Sequence, residues 1–315
     1  MDETVGTAEH PDLGKGRAGV GTAFGTFGEL LQGVLYENGL DFLVTFPISR
    51  FSTATFRPGS ESEEVQVVPA GKHKSRLLAS RLLRAFGHHG GGLLEVASDL
   101  PVGKGFASSS ADLVATARAV ADAFGTRLEE SRIEALLRDI EPSDGVMYPG
   151  VVTYYHKEVR LRERLGFLPP LTVVGLDEGG MVDTVSFNRR VKPFTDADRR
   201  EYGDLLSTLS QAVRDGDLYT VGAVATRSAE MNAKLLPKSQ FEALRVICRK
   251  VGGLGLVAAH SGTTLGILLA EEPECGSGLV ERTRALCEAL PGTVTVYRSL
   301  SPDWAGASAA SSLSA

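Results

Sequence analysis

The sequence is short of the residues that would mark a disulfide scaffold, a metal cluster or a nucleic-acid binder. It carries three cysteines in 315 residues, Cys248, Cys275 and Cys287. Their number is odd and their spacing suits no metal, so they read as reduced thiols of a cytoplasmic protein. Lysine plus arginine (33) fall below aspartate plus glutamate (39), a net charge of −6, which gives nucleic-acid binding no electrostatic support. No apolar run reaches the ~20 residues of a membrane span, and the acidic opening Met1-Asp-Glu-Thr lacks the basic-then-apolar order of a signal peptide. There is no G-x-x-x-x-G-K-[ST] loop, and Gly253-Leu-Gly-Leu-Val-Ala258 precedes a strand where a dinucleotide loop must follow one. What is left, with 43% hydrophobic and 23% charged residues, is a globular protein long enough for one large domain or two ordinary ones.

One stretch organises the rest: Pro101-Val-Gly-Lys-Gly-Phe-Ala-Ser-Ser-Ser-Ala-Asp112. A strand-like Leu93–Ala97 precedes it. After it, apolar residues recur with helical spacing to Phe124, where Gly125 is a natural stop. Gly103 and Gly105 let backbone approach a ligand closely. Ser108, Ser109 and Ser110 fall at a helix start, where several N–H groups lack intrahelical partners and anions are favoured. Their hydroxyls add donors for phosphate oxygens, or an oxygen ligand for Mg²⁺. The plainer alternative makes Ser108 an N-cap and the glycines a tight turn.

Along the chain, residues 1–18 and 305–315 are expected to be a disordered arm and tail. Strands are expected at Asp41–Ile48 (closed by Pro47), Ser52–Phe56, Val65–Val68 and Val151–Tyr155, with a helix over His73–Phe86. Ser131-x-x-Glu134 reads as a capping box opening a short helix to Ile140. Phe167-Leu-Pro-Pro170 reads as a boundary between units at 19–166 and 167–304. Beyond it come a strand at Leu171–Leu176, helices at Thr195–Val213, Asp217–Leu235 and Ser239–Val251, paired strands at Leu254–Ala259 and Thr263–Leu269, a helix at Leu279–Leu290 and a strand at Thr293–Tyr297. Strands with helices on one face make an α+β layer.

Several polar residues sit where pattern alone leaves two readings. Glu29, among Gly25, Gly28 and Gly33, is either a salt-bridged hairpin carboxylate or a pocket wall. Glu141-Pro-Ser-Asp144 is either ordinary turn chemistry or a place where Asp144 orients or deprotonates a substrate hydroxyl. Asp183 stands in a crowded Asp177–Asn188 stretch whose carboxylates suit the ammonium group of an amino acid. Asn232 is a solvated helix face or a pocket residue. His260-Ser261-Gly262 is a glycine turn between strands, with His260 structural rather than catalytic.

The Pro101–Ala111 stretch resembles the phosphate loop of the GHMP kinases, P-x-G-x-G-[LM]-[GA]-S-S-[AST]-A. Gly28-Glu29 matches that superfamily's first motif, and Ala259-His-Ser-Gly-Thr263 is similar to its third, a glycine turn facing the phosphate loop. Together with Glu141–Gly150 and Asp177–Thr184, these stretches resemble the branch of L-threonine kinases. The resemblance implies an N-terminal ribosomal-protein-S5-like α+β domain, a C-terminal ferredoxin-like domain and an active site between them. It implies ATP and Mg²⁺ as cofactors and a small-molecule amino-acid substrate, with no nucleic acid and no membrane as partner and a homodimer left open. Pro101, Gly103, Gly105, Ser108, Ser109 and Ser110 would cradle the nucleotide, and Lys104 would steady phosphate charge or be solvated. Ser109 aligns with the Mg²⁺-ligating serine, and Glu141 or Glu134 would supply the metal carboxylate. Asp144 would be catalytic, although the superfamily often has Pro-Ser-Gly-x-Asp where this chain has Pro142-Ser-Asp144. Glu29, Asp183, Asn232, Ser261 and Gly262 would line the substrate pocket.

Overall fold

The computed structural model describes residues 17–59, 64–182, 192–271 and 276–303. The expected tail, and all but the last two residues of the arm, lie outside them. The elements in chain order are β1 (Gly19–Val34), β2 (Asp41–Pro58), β3 (Val65–Val68), α1 (His73–Ala85), β4 (Gly92–Ser98), α2 (Ser108–Ala123), α3 (Glu130–Arg138), β5 (Val151–Tyr155), β6 (Arg160–Gly166), β7 (Leu171–Asp177), α4 (Asp196–Asp215), α5 (Leu218–Asn232), α6 (Phe241–Val251), β8 (Gly255–Ala258), β9 (Thr264–Ala270), α7 (Gly276–Cys287) and β10 (Thr293–Arg298). Ten strands form one sheet in the order β10-β7-β9-β8-β1-β2-β4-β3, with β5 bridging β2 to β6. Among the described residues only β3–β4 is parallel. The sheet is joined at its middle where Glu29 of β1 pairs with Ala258 of β8.

β2 absorbs two expected strands. Pro47 does not close the first: it lies inside β2 opposite Thr26, flanked by register shifts. A strand irregularity is where a residue without an N–H costs no ladder bond. β6, Arg-Leu-Arg-Glu-Arg-Leu-Gly, is a strand the sequence hid. Its charges mask a period of two in which Leu161 and Leu165 turn inward, and Arg164 lies 4.8 Å over the Tyr148 ring.

The capping box expected at Ser131 is not formed. α3 starts two residues earlier, with Glu129 as N-cap and no side-chain cap. Glu134 turns into the core, accepting from Tyr148 Oη at 2.7 Å and Leu161 N at 2.9 Å. Burial exerts a stronger pull than the cap because it satisfies the carboxylate with two donors. A capping box does open α4, where Thr195 Oγ1 accepts from Asp198 N at 3.2 Å and Asp198 Oδ2 from Thr195 N at 2.9 Å. Thr195→Ala is expected to cost about 1 kcal/mol, read as a lower denaturant midpoint at unchanged m-value.

α2 is buried on nearly every side, as its alanine-rich sequence allows. It crosses β1 and β2 inside the larger core cluster, while a second cluster fills the space between β7–β9 and α6 and α7. Cys248 and Cys287 are free and buried in that second cluster. Burial, with the Glu288 charge, pushes the Cys287 thiol up to about 11, so it is inert. Cys275 falls outside the described residues.

Candidate active site

The loop from Pro101 to Ala107 is held by its carbonyl groups. Gly103 O accepts from Val182 N (3.2 Å), Gly105 O from Gly28 N (2.9 Å) and Phe106 O from Thr26 N (3.2 Å). Lys104 O accepts from Thr264 Oγ1 at 2.9 Å, and Ala107 O from Ala111 N at 2.9 Å. With every carbonyl from 103 to 107 directed at the scaffold, the amides are left over: no N–H from Gly103 to Ser110 finds a partner among the described residues. Phe106 anchors the loop from beneath, 5.4 Å from Phe27 and 5.1 Å from Tyr297, ring centre to ring centre. Ala107, not Ser108, is the N-cap of α2. It sits in the left-handed region at φ 54° and makes no side-chain cap, a strained entry of the kind that persists only where surroundings enforce it. A row of free amides at a helix N-terminus is an anion site.

The three serines have separate surroundings. Ser109 Oγ donates to Glu141 Oε1, and Lys74 Nζ binds Glu141 Oε2. Ser110 turns away from the free amides: its Oγ donates to Asp144 Oδ2 at 3.1 Å and accepts from Asp144 N at 3.3 Å. Burial, helped by the Glu29 charge, raises the Asp144 carboxyl to about 7, against the Ser110 hydrogen bond. A carboxyl poised near neutrality is the protonation state that proton transfer at pH 7 requires. Glu134, the other carboxylate considered for a metal, is occupied by Tyr148, Leu161 and Arg138.

Glu29 is buried inside β1 rather than on a hairpin rim. Its Oε2 accepts from both His260 N and His260 Nδ1 at 3.0 Å. His260 Nε2 lies 2.8 Å from Ser228 Oγ, which accepts from Gln32 N at 3.2 Å. Nδ1 faces two acceptors, Glu29 Oε2 and Ala258 O at 3.1 Å, so it carries the proton, and Nε2 accepts from Ser228 Oγ. The order carboxylate, histidine, serine resembles a nucleophile relay, but Ser228 has no solvent exposure. The chain instead fixes β1 against α5 and the turn after β8. Asn232 is buried, not on a solvated face, and donates to His260 O at 3.3 Å. Gly262 packs on the Lys104 and Gly105 backbone, which brings Ser261 and Gly262 to the loop.

Lys104 points away from the free amides, to Asp177 Oδ2 at 2.7 Å and Gly180 O at 2.6 Å. Asp183 lies outside the described residues. Two lysines escaped sequence reasoning. Lys74, on α1, has no local signal of its partner 67 residues away. Lys238 binds Gly262 O, and burial lowers its pKa to about 8 against the charges of Glu178, Glu29 and Asp177. Only the Leu236-Pro-Lys238 break after α5 pointed to it.

Residues 74–149 match the family described as GHMP kinases N terminal domain. The chain is 28% identical over 247 residues to an L-threonine kinase of Citrobacter freundii, covering 77% of this chain and 83% of that one. It is 29% identical over 255 residues to an L-threonine kinase of Salmonella typhimurium, covering 77% and 80%. In fold it is similar to homoserine kinase from Cytophaga hutchinsonii (TM-score 0.67, 14% identity, 95% of this chain and 97% of that one). It is likewise similar to L. major mevalonate kinase in complex with R-mevalonate (TM-score 0.65, 17% identity, 90% and 95%); at such identities these likenesses speak for the fold alone. The GHMP kinases N terminal domain match over residues 74–149 and the likeness to L-threonine kinases over most of the chain point the same way, to a phosphotransferase acting on a hydroxyl group.

Proposed function

We propose that the protein is an ATP- and Mg²⁺-dependent kinase that phosphorylates the side-chain hydroxyl of a hydroxy amino acid, L-threonine giving O-phospho-L-threonine, the precursor of the cobalamin aminopropanol linker. The observation that carries the reading is one helix end holding both the free amides of residues 103–110 and, through Ser110, the neutral-range carboxyl of Asp144. Phosphoryl transfer asks for a positioned hydroxyl and neutralised phosphate charge more than for covalent help.

The amides of Gly103, Gly105, Ser108 and Ser109 hold the triphosphate, and Pro101 leads the chain into that loop. Asp144 accepts the proton of the substrate hydroxyl, oriented by Ser110. Ser109 Oγ and the Glu141 carboxylate are the oxygen donors that fit Mg²⁺, an ion content with one or two carboxylates beside phosphates and water. When bound, the ion supplies charge neutralisation on the phosphates. Lys238 adds positive charge beside the Gly262 turn, and Glu29 and Asn232 shape the amino-acid side of the site. No helix among the described residues is long and apolar enough to cross a membrane, and we place the enzyme in the cytoplasm.

The test is ADP release in a coupled assay with L-threonine, L-serine and homoserine. The highest kcat/KM is expected with L-threonine. Preference for another of the three reassigns the substrate, and no ADP with any small alcohol leaves a nucleotide-binding sensor in place of a kinase.

A further inference from the structure

One face of the sheet between β1, β2 and β5 carries polar groups with no task in the account above. Gln32 pairs with Leu43, Val34 with Asp41, and Leu43 with Tyr154. Cross-strand partners share a face and alternate residues return to it. Gln32, Asp41 and Tyr154 therefore project to one side, the side Glu29 takes through its pairing with Thr45, and His156, in the turn after β5, lies near enough to feel the charges of Asp41 and Lys192.

The patch is charged and shielded. Asp41 is held by Lys157 at 2.9 Å and by Lys192, whose side chain is only 10% exposed. Two ammonium groups face the Asp41 carboxylate, and the Glu29 charge acts on Lys192 as well. His156 beside them is 3% exposed. Burial, then the Lys192 charge, holds its pKa down at about 3, so the ring is neutral. Among the described residues neither His156 nitrogen has a partner, and Gln32 Oε1 and Ser143 Oγ are also buried without one. Buried polar atoms in native proteins are nearly always paired, and such a group of exceptions calls for a ligand.

The patch adjoins the reacting end. Ser143 N donates to His156 O at 3.1 Å, and Ser143 immediately precedes Asp144. The Glu29 charge acts on both Asp144 and Lys192.

We propose that His156 and Lys192 take the α-carboxylate of the amino-acid substrate and that Gln32 Oε1 accepts from its α-ammonium, so that this face selects an amino acid over a simple alcohol. A neutral imidazole offers an N–H to one carboxylate oxygen. The buried ammonium of Lys192, paired on one side with Asp41, offers the charge-assisted bond to the other oxygen. Gln32 adds the acceptor that an ammonium needs. This assignment rests on the amino-acid kinase reading.

The test compares kcat/KM for L-threonine and for 1-aminopropan-2-ol, which keeps the hydroxyl, methyl and amine but lacks the carboxylate. In His156→Phe and in Lys192→Met the preference for threonine narrows by roughly 10- to 100-fold, the worth of a hydrogen bond to a charged group. Turnover of 1-aminopropan-2-ol stays within about threefold of wild type. In the unmodified protein, the ¹⁵N ring resonances of His156 shift on adding L-threonine but not 1-aminopropan-2-ol, so the assignment stands or falls even if a variant fails to fold. A parallel loss with both substrates, an unchanged preference, or ring resonances that ignore L-threonine in an enzyme that phosphorylates it overturns this assignment alone. Wild-type protein that phosphorylates no amino acid overturns the reading it rests on.

Discussion

Asp144→Asn is expected to lower kcat at least about a hundredfold with ATP affinity unchanged, the scale of a lost acid–base group. The substitution keeps the size of the side chain and can keep the Ser110 contact, since an amide oxygen still accepts that hydroxyl. It removes the lone pair that takes the substrate proton. Asp144 N, bonded to Ser110 Oγ, is untouched, so the turn keeps its place. The pH profile is the sharper readout. With the carboxyl raised to about 7 by burial and by Glu29, the ionised, proton-accepting form is scarce at pH 6 and dominant at pH 8. For the wild-type enzyme kcat/KM, which reports the free protein, therefore rises through about pH 7 and levels above it. In Asp144→Asn that limb disappears. Near-normal turnover, or the same limb in the variant, takes Asp144 out of the chemistry.

The same region shows what could be read from sequence and what could not. The loop was legible because its needs are local: glycines where backbone bends tightly, small hydroxyl residues where a helix begins. The position of Asp144 was legible from the Pro142-Ser143 turn. Its poised carboxyl was not, because that arises from burial and from Glu29, 115 residues earlier in the chain. Ser110 looked like a third hydroxyl for phosphate. Helical rotation of about 100° per residue separates it from Ser109, so one faces Glu141 and the other Asp144. Glu134 fitted a capping box by spacing, and tertiary donors claimed it. Asn232 and His260 were read singly, yet they gain meaning from each other and from Ser228: Ser228 and Asn232 share one face of α5 four residues apart, but no local pattern links either to His260. The helices of the second half were legible from apolar spacing, and β6 was lost because arginines occupied its outward positions and a glutamate interrupted the inward leucines.

Gly262→Ala is expected to weaken ATP binding by roughly 10- to 100-fold and to lower the melting temperature together with it. A methyl group at residue 262 would overlap the Lys104 carbonyl and stand 2.5 Å from Gly105 N. All of these neighbours are backbone, so no rotamer change relieves the contact, and overpacking of this kind costs ~1–3 kcal/mol. Either the turn or the loop must move. If the turn moves, it carries with it Thr264, which donates to Lys104 O, and the carbonyl that Lys238 binds. If the loop moves, the amides of residues 103–105 leave the positions that the carbonyl bonds to Val182, Thr264 and Gly28 give them. Gly252→Ala separates this effect from general destabilisation. Gly252 caps α6 at φ 71° with no atom within 4 Å of its missing Cβ, so alanine there costs ~1–2 kcal/mol through the left-handed backbone alone. That variant should melt earlier while binding ATP as the wild type does. Should Gly262→Ala behave in the same way, stability lost and nucleotide affinity intact, the turn after β8 is not what holds the loop in its binding shape.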